Sequence, residues 1–269
     1  MEQLFIIKIG GNVIDDEENL SSFLNTVAAI KGKKILVHGG GKIATKIGEQ
    51  LGIVPNYING RRITDAATID LVTMVYGGLL NKKIVAQLQA KGVNAIGLTG
   101  ADANIIPAIK RPVKEIDYGF VGDVISLESG VLSREPGMTS LELFVENGLV
   151  PVFAPLTHDG KGQVLNTNAD TIASVLAVAL SKKYQVRLIY CFEKKGVLEN
   201  VADDQSVITL ITRDIYKYLL DQHKLFDGIL PKIDNAFAAI DSGVQEVVIG
   251  DAKDLLKNTG ERIAGTLIK

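Results

Sequence analysis

Short runs of branched and apolar residues return along the chain at intervals long enough for a helix, and this alternation constrains the fold more than any other feature. Leu4 to Ile9, Lys34 to His38, Val93 to Leu98, Leu149 to Ala154, Val186 to Tyr190 and Glu246 to Ile249 read as strands. Their apolar residues are consecutive rather than alternate, so both faces need cover, which is the condition of a parallel sheet. Between them, segments of helical period fall at Glu17 to Ile30, Ile43 to Leu51, Asp65 to Lys91, Ser140 to Asn147, Ala169 to Leu180 and Pro231 to Ser242. The last opens on a proline, which suits a first turn. The predicted fold class is therefore α/β: a three-layer α/β/α sandwich with a mainly parallel central sheet. With 269 residues the chain has ample material for its core.

One stretch breaks the pattern. From Ile105 to Ser126 short runs alternate around Pro107, Pro112 and Gly119, which reads as an antiparallel hairpin laid over the sheet as a lid. There is no internal repeat and no Pro/Ser-rich linker. Any division into lobes thus falls within a continuous sheet, and the expected seam is Ser181-Lys182-Lys183, giving lobes 1–181 and 182–269.

Charge and cysteine content exclude several classes. Lys and Arg number 29 against 31 Asp and Glu, for a net charge of -2, so non-specific nucleic-acid binding is not expected. The one cysteine, Cys191, has no partner for an internal disulfide, and its apolar and aromatic flanks read as a buried packing thiol. The first residues run straight into Leu4-Phe5-Ile6-Ile7, without the flanks of a signal peptide, and no apolar stretch is long enough for a membrane span. A cytoplasmic protein without membrane contact is the expectation.

Glycine clusters follow three of the strands: Gly10-Gly11 after Ile9, Gly39-Gly40-Gly41 after His38, and Gly100 after Thr99. Each is explicable alone as a tight βα turn. On successive parallel strands, however, all of them gather at the carboxyl edge of the sheet, where open α/β folds bind ligands and bare backbone N–H groups face anions. None has the spacing of a Walker A loop or of the Gly-x-Gly-x-x-Gly dinucleotide fingerprint. That leaves a phosphate-binding α/β protein of another lineage.

Charged residues in apolar settings narrow the chemistry. Lys8 interrupts Phe5, Ile6, Ile7 and Ile9 two residues before Gly10; either it snorkels to solvent or it carries its ammonium to the glycine edge to meet a phosphate. Lys232 lies in the first turn after Pro231, where a cation opposes the helix dipole; either an anion is near or it is a surface lysine that bears the small cost. In Asn166-Thr167-Asn168-Ala169-Asp170, Asn168 suits an N-cap, Asp170 suits the first turn or a lysine partner, and Asn166 is left for a ligand's polar group. Arg62 is a natural fork for a carboxylate, or else a solvated hairpin arginine. His38 ends a buried strand and reads as a hydrogen-bonded structural residue. His158 and His223 share no metal-ligand spacing with it, and no nucleophile elbow is present.

Five ordered motifs then resemble the amino acid kinase family: Ile7-Lys8-Ile9-Gly10-Gly11, Val37-His38-Gly39-Gly40-Gly41, Asn59-Gly60-Arg61-Arg62-Ile63-Thr64, Leu165-Asn166-Thr167-Asn168-Ala169-Asp170, and Asp227-Gly228-Ile229-Leu230-Pro231-Lys232. The arginine and Asn-x-Asn-Ala-Asp motifs resemble its branch acting on N-acetyl-L-glutamate. The resemblance implies ATP with Mg2+ as cofactors and an acyl amino acid as substrate. It implies catalytic roles for Lys8, Lys232 and Asp170, and substrate contacts from Gly40, Gly41, Arg62 and Asn166. Nucleotide contacts are implied at Gly10, Gly11, Glu193, Gly196, Asp227 and Gly228. By the same resemblance, the lobe 1–181 would bind the amino acid and dimerise, and the lobe 182–269 would bind ATP. An arginine-insensitive homodimer would pair through the long helix containing Leu71, Val72, Val75 and Leu79. The chain departs from the family at Glu193-Lys194-Lys195-Gly196, where Asp-Val-x-Gly is usual, and at Ala103, where glycine is usual. A kinase of a related acyl amino acid such as N-succinylglutamate, or a non-catalytic nucleotide or amino-acid sensor of the same fold, is the alternative.

Overall fold

The structure, a computed structural model, describes residues 1–58, 60–125, 136–222, 224–225 and 229–269. In chain order the strands are β1 Gln3–Ile9, β2 Lys33–His38, β3 Tyr57–Ile58, β4 Arg61–Arg62, β5 Ala95–Leu98, β6 Ala108–Lys110, β7 Gly122–Val124, β8 Val150–Phe153, β9 Leu156–His158, β10 Val164–Asn166, β11 Gln185–Phe192, β12 Leu210–Ile211, β13 Glu246–Asp251 and β14 Thr266–Ile268. The α-helices are α1 Gly11–Asp15, α2 Glu17–Ala29, α3 Gly41–Gln50, α4 Ala66–Val72, α5 Asn81–Ala90, α6 Pro136–Glu146, α7 Ala169–Leu180, α8 Arg213–Asp221, α9 Leu230–Asp241 and α10 Leu255–Asn258.

An eight-stranded sheet has the order β12-β14-β13-β11-β1-β2-β8-β5. The pairs β1–β11, β11–β13, β12–β14, β2–β8 and β5–β8 are parallel, and β13–β14 is antiparallel. This is the mainly parallel α/β architecture that the continuous apolar runs require. The chain divides into two compact units, Met1–Ile35 with Ala173–Lys269, and Leu36–Ile172. These are units of packing, drawn differently from the functional lobes expected at 1–181 and 182–269.

In the first unit, Leu4, Ile6, Ile7 and Ile9 of β1 are fully buried and lie beside β11 in a register that sets Lys8 opposite Tyr190 and Ile9 opposite Cys191. Cys191 is the buried packing thiol expected; burial pushes its pKa up to about 12. Asp16 caps α2, accepting from the Asn19 N–H at 2.7 Å, and the helix turns Leu20, Phe23, Leu24 and Val27 inward.

In the second unit, the long helix expected from Asp65 to Lys91 runs from Ala66 to Ala90, with Asp65 as its cap and a π-helical stretch, Thr73–Leu80, joining α4 to α5. Its apolar residues extend beyond one face, and the core takes most of them. Leu71, Val72 and Val75, expected to face a second copy, are 1%, 0% and 3% exposed. That expectation is corrected for these three, because their side chains are already occupied within the unit; Leu79 remains exposed.

The antiparallel hairpin expected from Ile105 is present as β6 and β7, tied by Arg111 Nε donating to Asp123 at 3.0 Å; Ser126 lies outside the described residues. Two further hairpins, β3–β4 and β9–β10, accompany it. Among the described residues no helix is long and apolar enough to cross a membrane.

Candidate active site

The first unit brings two of the predicted cations to one aromatic ring. β1 delivers Lys8, 8% exposed, and its Nζ lies 5.3 Å from the centroid of Phe192 at the end of β11. Proline at the start of α9 fixes the first turn that carries Lys232, and Lys232 Nζ sits 3.5 Å from the same centroid. The two ammonium groups therefore lie within about one Debye length (~10 Å) of each other and act on the same small volume. Each gains from the negative face of the ring, and together they make a locus suited to a multiply charged anion.

Directly after Lys8, the Gly10 N–H continues the ladder by donating to the Cys191 carbonyl at 3.3 Å. Gly10 and Gly11 have no positive φ. A Cβ on either would make only ordinary contacts, 3.5 Å to the Cys191 carbonyl and 3.7 Å to Asp15. Packing inside the unit does not demand glycine here. A bare backbone is what close approach by an outside group requires.

Gly196 is different. A Cβ there would lie 2.6 Å from Thr266 Oγ1 and 2.9 Å from Val207 Cγ1, so the close approach of β14 already accounts for this glycine. Glu193 is exposed just beyond β11, and its neighbour Lys194 pairs with Asp204 at 2.7 Å. Asp227 and Gly228 lie outside the described residues, as do Asn59 and His223.

The second unit assembles another part of the predicted set. Gly40 has φ 152°, a conformation that L side chains rarely adopt, and a Cβ would collide with Leu80 and crowd Tyr76. Next to it, the Gly41 carbonyl accepts from Arg62 at 3.0 Å. Arg62 is 8% exposed, also donates to Thr45 Oγ1 at 2.8 Å, and stacks over Tyr57 at 4.8 Å. It is thus not the solvated hairpin arginine. Among the described residues no carboxylate forms an ion pair with it, and a buried cation without a counter-ion is costly unless an anion is supplied.

Asn166 joins this cluster through Thr64. Its Nδ2 donates to Thr64 Oγ1 at 3.0 Å, and Thr64 is fully buried two residues beyond Arg62. The side chain expected to lack any local task therefore has one. Asn168 is the cap expected, its Oδ1 accepting from the Asp170 N–H at 2.7 Å and the Thr171 N–H at 3.3 Å. Asp170 stands in the first turn of α7. Gly41, Arg62, Thr64 and Asn166 are thus brought together in one unit, and Lys8 and Lys232 in the other. Thr45, Tyr57 and Tyr76 were not singled out from sequence, and Thr64 entered only as the end of the arginine motif, since a hydroxyl or a phenol near a turn carries no spacing signal.

His38 is structural. Its Nδ1 faces the Gly39 carbonyl at 2.7 Å and its Nε2 faces the Asn81 amide nitrogen at 3.3 Å, an arrangement that fits a neutral ring protonated on Nδ1. Burial holds its pKa down at about 4.

The model of the amino acid kinase family matches residues 3–251. A curated protein from Phocaeicola vulgatus, named acetylglutamate kinase, is 54% identical over 268 residues, covering 100% of this chain and 99% of its own length. Among solved structures, smu.665 from Streptococcus mutans superposes with a TM-score of 0.72 at 28% identity, over 99% of this chain and 98% of that one. N-acetylglutamate synthase from Neisseria gonorrhoeae, in complex with coenzyme A and N-acetyl-glutamate, gives a TM-score of 0.78 at 19% identity; this chain spans 59% of its length, and the likeness speaks to the fold alone. The family model spans nearly the whole length and the curated relative is matched over all of it, and the chain belongs to the amino acid kinase family.

Proposed function

We propose that the chain transfers the γ-phosphoryl group of ATP to the side-chain carboxylate of N-acetyl-L-glutamate, a step of arginine biosynthesis. Relatives bearing the corresponding name support the reading. The observation that carries it is the sharing of the Phe192 ring by Lys8 and Lys232. On this reading both lysines offset the charge of the phosphoryl group in transit, and Asp170 orients them. Gly10 and Gly11 admit the phosphates to bare backbone. Gly40 and Gly41 offer backbone donors to the amino acid, Arg62 takes its α-carboxylate and Asn166 its amide region. The nucleotide lies over the lobe 182–269, near Glu193, Gly196, Asp227 and Gly228, while the lobe 1–181 takes the amino acid and forms a homodimer.

The chemistry asks little of an acid or base. A side-chain carboxylate is already anionic at neutral pH, so no group has to remove a proton. One carboxylate oxygen forms a bond to the γ-phosphorus as the bond to the bridging oxygen breaks, ADP leaves with that electron pair, and an acyl phosphate remains. The residues contribute alignment and positive charge, which is what phosphoryl transfer needs. Among the described residues no group of three or more metal-ligating side chains is placed to hold an ion. Mg2+ is proposed to come with the nucleotide phosphates, keeping several of its waters, and would add positive charge there.

An ADP-release assay with N-acetyl-L-glutamate, N-succinyl-L-glutamate or no acceptor tests the reading. Release that depends on the acetyl substrate, with a hydroxylamine-trappable acyl phosphate, is expected. A higher kcat/KM for the succinyl compound replaces the acyl group. ADP release that ignores both acceptors overturns the kinase.

A further inference from the structure

Among the described residues, Arg62 is held by neutral groups alone. Besides the Gly41 carbonyl, the guanidinium donates to the Thr45 hydroxyl at 2.8 Å and lies over the Tyr57 ring at 4.8 Å. Thr45 is itself fixed on both sides: its Oγ1 donates to the Gly41 carbonyl at 3.0 Å and pairs with the Tyr57 hydroxyl at 3.0 Å. The loop from α3 to the β3–β4 hairpin is thereby closed by one arginine, one threonine and one tyrosine. The Tyr76 phenol is a further neutral neighbour of Arg62, and burial raises its pKa.

Chemically, this is an unusual way to hold a buried cation. An aspartate or glutamate in place of Thr45 would hold the guanidinium more strongly, but it would also neutralise it and compete with an incoming carboxylate. A hydroxyl and an aromatic face fix the plane of the fork while leaving its charge available. Without the hydroxyl, an arginine at the end of a two-residue strand retains several rotamers, and ordering it would fall to substrate binding.

We propose that Thr45, braced by Tyr57, is a positioning residue that aims the Arg62 guanidinium at the α-carboxylate of the acylated amino acid; the inference rests on the acyl amino acid kinase reading above. Steady-state kinetics of wild type, Thr45→Val, Thr45→Ser and Thr45→Asp test it, with thermal melts alongside. Thr45→Val is expected to raise KM for N-acetyl-L-glutamate about tenfold, the effect of losing a hydrogen bond to a charged group, while kcat and KM for ATP change less than about twofold. Thr45→Ser should restore the wild-type KM. Thr45→Asp should raise it beyond Thr45→Val, because the new carboxylate occupies the fork.

An unchanged acyl-substrate KM in Thr45→Val overturns the inference. So does a parallel loss toward both substrates with a lowered melting temperature, which assigns Thr45 to folding only. If Thr45→Val does not fold, the Ser and Asp variants carry the same comparison, and equal KM values in those two overturn it. A wild type inactive with either acylglutamate overturns the underlying reading and this inference together, whereas an active wild type with unresponsive variants overturns this inference alone.

Discussion

Two ammonium groups that share a phenyl ring repel each other across the space where they would act, and a travelling PO₃ unit is the kind of charge that makes such an arrangement favourable. Lys8→Ala and Lys232→Ala should each lower kcat by a factor of about a hundred or more, as loss of a transition-state charge partner does, with the fold retained by circular dichroism. Turnover near the wild-type rate in either variant removes that lysine from the mechanism. Lys8 was legible in the sequence because a charge set among Phe5, Ile6, Ile7 and Ile9 must reach either solvent or an anion. Its meeting with Lys232 was not legible from spacing, since the two are 224 positions apart along the chain and only the family motifs linked them. The neutral brace around Arg62 was hidden for a different reason: Thr45 and Tyr57 look like ordinary helix and hairpin residues until the hairpin folds back on α3.

At the scale of elements, β2, α5 and β8 meet at one buried polar junction. The Asn81 amide donates to His38 Nε2 at 3.3 Å and to the Val152 carbonyl at 2.8 Å, so Nε2 must keep a lone pair for the junction to hold. Burial lowers the His38 pKa from 6.5 to about 4. Between those values the unfolded chain binds a proton that the folded chain refuses, so stability rises with pH across this window. The contribution is complete above pH 6.5 and is lost as pH falls, approaching about 3 kcal/mol by pH 4. In urea melts at pH 7 and pH 5, His38→Gln should therefore show a smaller acid loss than wild type, even if it begins less stable. Parallel losses in both proteins would place the acid sensitivity elsewhere. The sequence predicted a structural histidine here, because it ends a buried strand, but not its partner on a helix 43 positions away. Long elements were likewise legible and short ones were not: α7 falls on Ala169–Leu180 as expected, whereas β3, β4, β9 and β10, of two or three residues each, are too brief to show a period.

For the whole molecule, strand neighbours are set by crossovers, and this decides which distant segments share a unit. β1 pairs in parallel with β11, which lies far along the sequence, and the first 35 residues pack with the segment from Ala173 onward; no local pattern announces such a pairing. The same distinction bears on self-association. Four apolar residues of the long helix were expected at a homodimer interface, yet a side chain buried in its own unit has no surface to offer. What the helix leaves exposed is Leu79, at 52%, and Met74, at 57%. Exposed apolar side chains of this size on one helix suit an isologous contact with a second copy, in which each residue meets a symmetry-related partner. With a net charge of only -2, long-range repulsion between copies is weak. The proposed homodimer then predicts that wild type elutes with light scattering at twice 28.9 kDa, and that Met74→Glu with Leu79→Glu elutes at the mass of one chain, because two carboxylates per copy would be desolvated opposite one another. A double variant that stays dimeric moves the interface to another face, and a monomeric wild type removes the homodimer.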